Sequence, residues 1–136
     1  MFTITKTFEF SAAHILTNVP TGHPCGNLHG HNYTIEIAFS SENTKNNWVL
    51  DFRELEPIKK MIDQDLDHKM LTTETLKKLC CNKVEFLQFC EETTSENLSR
   101  CLFEWCENTF KSTNDDIKVA YVKVSETPKT SAKYST

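Results

Sequence analysis

The sequence predicts an α+β fold, a four-stranded antiparallel sheet with two helices packed on one face. Three observations carry that reading. Period-two alternation runs through residues 2–14 and again through 33–39. Helical spacing of apolar residues follows at 55–66 and at 98–110. A last alternating stretch closes the order strand, strand, strand, helix, helix, strand.

In Phe2 to His14, residues Phe2, Ile4, Phe8, Phe10 and Ala12 share one parity, with Thr3, Thr5, Thr7 and Glu9 on the other. That pattern describes a half-buried strand, and His14 lies on its apolar side. A turn-rich loop from Thr17 to Leu28 contains Pro20, Gly22, Pro24 and Gly26. The second strand alternates Tyr33, Ile35, Ile37 and Phe39 with Thr34, Glu36 and Ala38, and His29 and His31 share the apolar parity. Ser40 to Asn47 reads as a hairpin loop and Trp48-Val49-Leu50 as a short third strand. Asp51 and Glu54 stand at capping-box spacing before Leu55, Ile58, Ile62 and Leu66. Pro57 fits if the regular helix starts near it, or if the first turn is distorted.

Residues Leu71 to Glu92 hold one or two short helices around Leu76, Leu79, Phe86 and Leu87. Thr93 and Glu96 give a second capping-box signal, ahead of an amphipathic helix carrying Leu98, Cys101, Leu102, Trp105 and Phe110. Lys111 to Asp116 is a loop, and Val119 to Ser125 the final strand, ending at Glu126-Thr127-Pro128. Four strands leave open sheet edges, so self-association is expected.

The chain of 136 residues is long enough for one domain, 1–136, with a real core. Its 38% hydrophobic and 25% charged residues match an ordinary globular protein. A net charge of -4 and the absence of any basic stripe argue against nucleic acid. Met1 to Lys6 alternates instead of forming the apolar run of a signal peptide, and no stretch is long enough to span a bilayer. A cytoplasmic location with no membrane partner is therefore expected. The six cysteines include an adjacent pair, Cys80-Cys81, and form no C-x2-C knuckle, so free thiols are expected. Cys80, Cys81 and Cys90 read as structural or exposed thiols, and a second metal site there is not expected.

The chemistry concentrates in Cys25-Gly26-Asn27-Leu28-His29-Gly30-His31. On a strand, residues i and i+2 point to one face, so His29 and His31 can reach one metal. His14, at matching parity on the neighbouring strand, supplies a third imidazole. Three protein ligands with a fourth position open is the catalytic pattern for zinc. An isolated H-x-H would be no more than core or surface histidines; the placement of His14 and the upstream cysteine reverse that preference. Cys25 could be a fourth ligand or a buried filler, and its Gly/Pro-rich loop argues against filler. Beside a cation its thiolate is favoured, and a thiolate near neutrality can act as a base. His23 is a weaker rival ligand. Asp67-His68 is a second pair, in which the carboxylate can orient the imidazole if the side chains meet. Glu126 shares parity with Ala120, Val122 and Val124, and a carboxylate on a covered face needs a partner.

Together these residues resemble the 6-pyruvoyltetrahydropterin synthase / 6-carboxytetrahydropterin synthase family. The resemblance rests on Phe10-Ser11-Ala12-Ala13-His14, the Cys25 to Tyr33 motif, Val49-Leu50-Asp51-Phe52, Leu66-Asp67-His68, Thr94-Ser95-Glu96-Asn97 and Glu126-Thr127. Within the family, the short gap between Cys25 and His29 looks like the 6-carboxytetrahydropterin synthase of queuosine and 7-deazapurine biosynthesis. The resemblance implies a tetrahydropterin-synthase-like T-fold whose sheets join into a barrel in a homo-oligomer, expected as a hexamer, with active sites between subunits. It implies Zn2+ on His14, His29 and His31, a catalytic set of Cys25, Asp67 and His68, and pterin binding by Glu126, with Thr94 and Ser95 also contacting substrate. The implied reaction converts 7,8-dihydroneopterin triphosphate to 6-carboxy-5,6,7,8-tetrahydropterin, releasing acetaldehyde and triphosphate. Two departures stand out. Ile15 replaces the arginine that often follows the first histidine, and the stretch between His68 and Thr94 is longer than in compact members. The alternatives are the pyruvoyl branch, which loses only triphosphate, and a zinc- or pterin-binding module without catalysis.

Overall fold

The computed structural model describes residues 1–112 and 115–136. Residues 113 and 114, in the middle of the expected 111–116 loop, lie outside the described residues. The sheet is built on two long strands, β1 (Phe2–His14) and β2 (His29–Ser41). They pair antiparallel without interruption from Phe2↔Ser41 to His14↔His29. Because no bulge intervenes, side-chain parity is preserved along the whole ladder. Phe8, Phe10, Ala12 and His14 are buried from one strand, and Tyr33, Ile35, Ile37 and Phe39 from the other.

Among the described residues the sheet has five strands in mixed arrangement, which corrects the expectation of four antiparallel ones. Its order is β3-β1-β2-β4-β5, where β3 is Lys69–Met70, β4 Lys118–Thr127 and β5 Thr130–Tyr134. β3 pairs parallel with β1 through Ala12↔Lys69 and Ala13↔Met70. Trp48-Val49-Leu50 is not a strand. Asn46 and Asn47 adopt φ of 54° and 69° in a tight turn closed by the Lys45–Trp48 bridge. Val49 and Leu50 then turn into the core instead of continuing a ladder. In β4 a bulge between its Ala38 and Phe39 partners leaves Ala120 unpaired. Val119 and Val122, three apart, therefore both face inward.

The segment expected as one helix over 55–66 takes three geometries in succession. Asp51 caps a 3-10 turn, Phe52–Leu55, with Glu54 completing the capping box. Helix α1 (Glu56–Met61) follows with Pro57 in its first turn, where a missing N–H costs nothing. A π-helical turn, Ile62–Leu66, ends the segment with the Asp67 amide donating to the Ile62 carbonyl at 2.8 Å. Leu55, Ile58, Ile62 and Leu66 are all buried, as their spacing requires. Helix α2 (Thr73–Leu79) and a 3-10 segment, Val84–Cys90, fill the stretch before helix α3 (Ser95–Phe110). These two short pieces fall where one or two short helices were expected, so that among the described residues three α-helices accompany the sheet where the fold class named two. The cap of α3 is Thr94, whose hydroxyl accepts from the Asn97 amide at 3.3 Å, and not Thr93. That shift by one residue frees Thr93 for the site. Sheet and helices share one apolar cluster, in which Phe39 meets Phe110 edge-on.

Candidate metal centre and neighbouring dyad

Uninterrupted pairing of β1 with β2 sets His14 opposite His29 and Ala12 opposite His31. The three imidazoles therefore stand at one end of the covered face, with ring centroids 4.6, 5.2 and 4.9 Å apart. One donor nitrogen from each lies within 4.8 Å of the others. Tyr33 is buried directly below, its ring 5.5 Å from that of His31 and stacked on Phe10 at 4.9 Å. Burial, then the charge of Glu126, pushes the Tyr33 phenol well above its usual range, so it stays neutral.

Hydrogen bonding fixes what each ring presents. His14 Nδ1 lies 2.9 Å from the Thr93 carbonyl and 3.1 Å from its hydroxyl. His29 Nδ1 lies 2.7 Å from the Asn27 carbonyl. A carbonyl only accepts, so both Nδ1 atoms carry the proton, and in the neutral rings both Nε2 atoms present lone pairs. Those two Nε2 atoms sit 3.0 Å apart. Two neutral lone pairs cannot satisfy each other at that distance; a cation between them can. His31 Nε2 is buried with no hydrogen-bond partner among the described residues. Burial, the dominant influence, lowers the His14 pKa and keeps it neutral, the form a metal ligand needs. In a tetrahedral site with bonds of about 2.0–2.1 Å, ligand nitrogens stand about 3.3 Å apart. The donor set thus fits a zinc-like ion with little adjustment.

Glu126, from the end of β4, brings its carboxylate 3.9 Å from His14 Nε2 and 3.8 Å from His31 Nε2. Those distances exceed hydrogen bonds and leave negative charge beside the cluster. An open cleft of about 740 Å³ lies here, lined by His31, Tyr33, Asp67, Glu126 and Thr127 among others. A second recess of about 510 Å³ is lined by His31, Ala13, His68 and Met70.

Asp67 and His68 do meet, with Oδ2 2.9 Å from Nδ1. Ser11 makes this possible. Its amide donates to Asp67 Oδ1 at 3.0 Å, and its carbonyl accepts from the His68 amide at 2.7 Å. That clamp holds His68 at a φ of 58°, a left-handed conformation seldom taken by a non-glycine residue. The Ser11 amide first, and His68 second, hold the Asp67 carboxyl below its usual range. The His68 side chain is 84% exposed, so its far nitrogen is free to meet a molecule bound at the surface.

Cys25 lies in a short 3-10 turn, Pro24–Gly26, and is partly exposed. Its carbonyl accepts from the Leu16 amide at 2.8 Å, which ties the loop to the chain just past His14. Its thiol is not one of the clustered donors. His23 is used locally, accepting from the Cys25 amide at 3.0 Å. Thr94 spends its hydroxyl as the α3 cap and Ser95 begins the helix.

Sequence reasoning missed Thr93 and Glu92. Glu92 accepts from the Thr17 amide at 2.8 Å, from the Thr17 hydroxyl, and from the Asn18 amide at 2.6 Å. The two residues thus grip His14 and the segment following it from one side. Nothing in their local pattern marks them, since their partners lie 74 to 79 positions away.

A small α+β domain with three histidines converging at the head of two paired strands is the class defined by fold and site. The chain belongs to the 6-pyruvoyl tetrahydropterin synthase family, whose pattern it matches over residues 3–136. It is 31% identical to a 6-carboxy-5,6,7,8-tetrahydropterin synthase of Haemophilus influenzae, over 98% of this chain and 99% of that one. A protein of the same name from Rickettsia conorii is also 31% identical, with 94% and 96% covered. Among solved structures, the 6-pyruvoyl tetrahydropterin synthase of Caenorhabditis elegans superposes with a TM-score of 0.73 at 26% identity, over 99% and 95% of the two chains. No helix among the described residues is long and apolar enough to cross a membrane.

Proposed function

We propose that this chain is a zinc-dependent lyase converting 7,8-dihydroneopterin triphosphate to 6-carboxy-5,6,7,8-tetrahydropterin, with acetaldehyde and triphosphate released, as a step of queuosine-type 7-deazapurine synthesis. The observation that carries this reading is the convergence of His14, His29 and His31, two of them presenting Nε2 lone pairs to one point. The names of the full-length relatives favour the carboxy product over the pyruvoyl one.

When bound, zinc supplies Lewis acidity to a substrate oxygen. The remaining work belongs to the chain. Thr93 and Asn27 hold His14 and His29 in the tautomer that leaves Nε2 free. Cys25, in the loop joining the two histidine-bearing strands, takes protons from the substrate side chain. Asp67 holds the His68 proton on Nδ1, so that Nε2 can accept and return protons at the exposed surface. Glu126 anchors the amino-pyrimidine edge of the pterin, which offers adjacent N–H donors to a carboxylate. Thr94 and Ser95 contribute near the start of α3. Assembly into a homo-oligomer, with sheets joined edge to edge, covers the exposed His68.

Incubation with the dihydropterin triphosphate and mass analysis of products tests the proposal. Carboxytetrahydropterin with acetaldehyde is the expected result. A product keeping all side-chain carbons would assign the pyruvoyl reaction instead, and zinc-loaded protein without turnover would leave a binding module. Cys25→Ala is expected to retain the metal and lose about 10²–10⁴-fold in kcat. Unchanged turnover would remove Cys25 from the chemistry.

A further inference from the structure

A second cluster of metal-ligating side chains lies away from the histidines. Cys80 caps the C-terminal end of α2, Cys90 ends the 3-10 segment, and Cys101 lies on α3. Their side chains are 0–1% exposed. The Sγ atoms of Cys80 and Cys90 are 3.4 Å apart, those of Cys90 and Cys101 3.9 Å, and all three lie within 4.8 Å of one another. Zinc–sulfur bonds of about 2.3 Å put thiolates of a tetrahedral site about 3.8 Å apart. The observed triangle needs only small shifts to match.

From this triangle we infer a second metal site, in which Cys80, Cys90 and Cys101 bind one thiophilic divalent d10 ion of the Zn2+ or Cd2+ class. Three successive elements each contribute one sulfur, at spacings of 10 and 11 residues, so the ion staples the 80–90 stretch to α3. Cys106 shows what a mere space-filling thiol looks like here: equally buried on the same helix, it belongs to no such cluster among the described residues. Binding exchanges three S–H protons, released to solvent, for three metal–sulfur bonds. The Cys80 and Cys90 thiols give up weak contacts to the Lys77 and Phe86 carbonyls, 3.5 and 3.4 Å away. Burial pushes the Cys90 thiol up to about 11 and the Cys101 thiol higher still, so both are held as thiols until an ion displaces their protons. A divalent ion with three thiolates carries one net negative charge, and the Lys77 ammonium is the cation that acts on Cys90 against the effect of burial. Sulfur donors select such ions over Mg2+ or Ca2+. The site is independent of the proposed reaction.

The test uses reduced, metal-free Cys25→Ala protein titrated with Cd2+, so that no thiol remains beside the histidines. Two ions per chain are expected, with thiolate-to-cadmium absorption in the ultraviolet and two ¹¹³Cd resonances, one in the sulfur-rich range. Cys90→Ala in the same background should bind one ion, without that absorption or that resonance. A single nitrogen-range resonance and no thiolate absorption in the folded Cys25→Ala protein would overturn the inference. So would thiolate absorption that survives Cys90→Ala undiminished. The resonances are read on a protein whose three thiols are intact, so the test stands even if Cys90→Ala fails to fold.

Discussion

Thr93 offers His14 Nδ1 two acceptors, a carbonyl that no substitution removes and a hydroxyl that one can. Thr93→Val keeps the shape and deletes the hydroxyl. Zinc affinity measured against a competing chelator should fall about tenfold, the lower end of what partners of ligand histidines contribute. Unchanged affinity would mean that the carbonyl alone orients the ring. Asp67 makes a different prediction. Its folded pKa is depressed by the Ser11 amide and then by His68. Its stabilising effect is therefore fully present above the unfolded value of about 3.9 and is lost as pH falls through the lower folded value. Melting temperatures of the natural protein and Asp67→Asn should differ at pH 6 and converge as both are acidified. A constant difference would place the effect elsewhere. At this scale the histidines were legible because a strand's period of two places residues by parity. Thr93 was not, because a helix cap can move by one residue without any change of composition.

Asp67, His68 and Thr93 owe their positions to the way an element ends or begins. The π-helical turn at Ile62–Leu66 delivers the chain to β1 one residue later than an α-turn would, and Asp67 and His68 fall on either side of the Ser11 amide and carbonyl. Leu66, wholly buried, holds that turn against the core. Leu66→Ala should cost about 2–5 kcal/mol in denaturant unfolding. In the protein that still folds, it should lower turnover more than metal content, because the dyad moves and the histidines do not. Equal loss of both would tie the turn to the metal cluster. The sequence announced this helix by apolar spacing, yet spacing cannot tell a 3-10, α or π turn, since all three bury the same side chains here. β3 escaped notice for a related reason. It is two residues long and exists only because of backbone bonds to Ala13 and its neighbours. β5 has few apolar residues to alternate, and Trp48 to Leu50 had a strand's composition but a tight asparagine turn before it.

In the whole molecule, the sheet leaves most of the outer edge of β1 unpaired, since β3 covers only Ala12 and Ala13. Phe2, Trp48 and Phe52, each at least half exposed, line one recess together with Thr3 and Ile4 of β1. Edge and apolar surface together suit the self-association proposed above. Sedimentation should find an oligomer in which Phe2→Lys shifts the distribution towards single chains; a natural protein that stays monomeric at high concentration would contradict this. On the proposed reading oligomerisation completes a site begun within one chain, because the three histidines come from β1 and β2 and Thr93, just ahead of the α3 cap, holds His14. That claim has a direct measurement: anomalous diffraction at the zinc edge from crystals of zinc-loaded protein. The account predicts a peak bonded to Nε2 of His14, His29 and His31 at about 2.0–2.1 Å. Rings turned away from one another with no peak between them would contradict it.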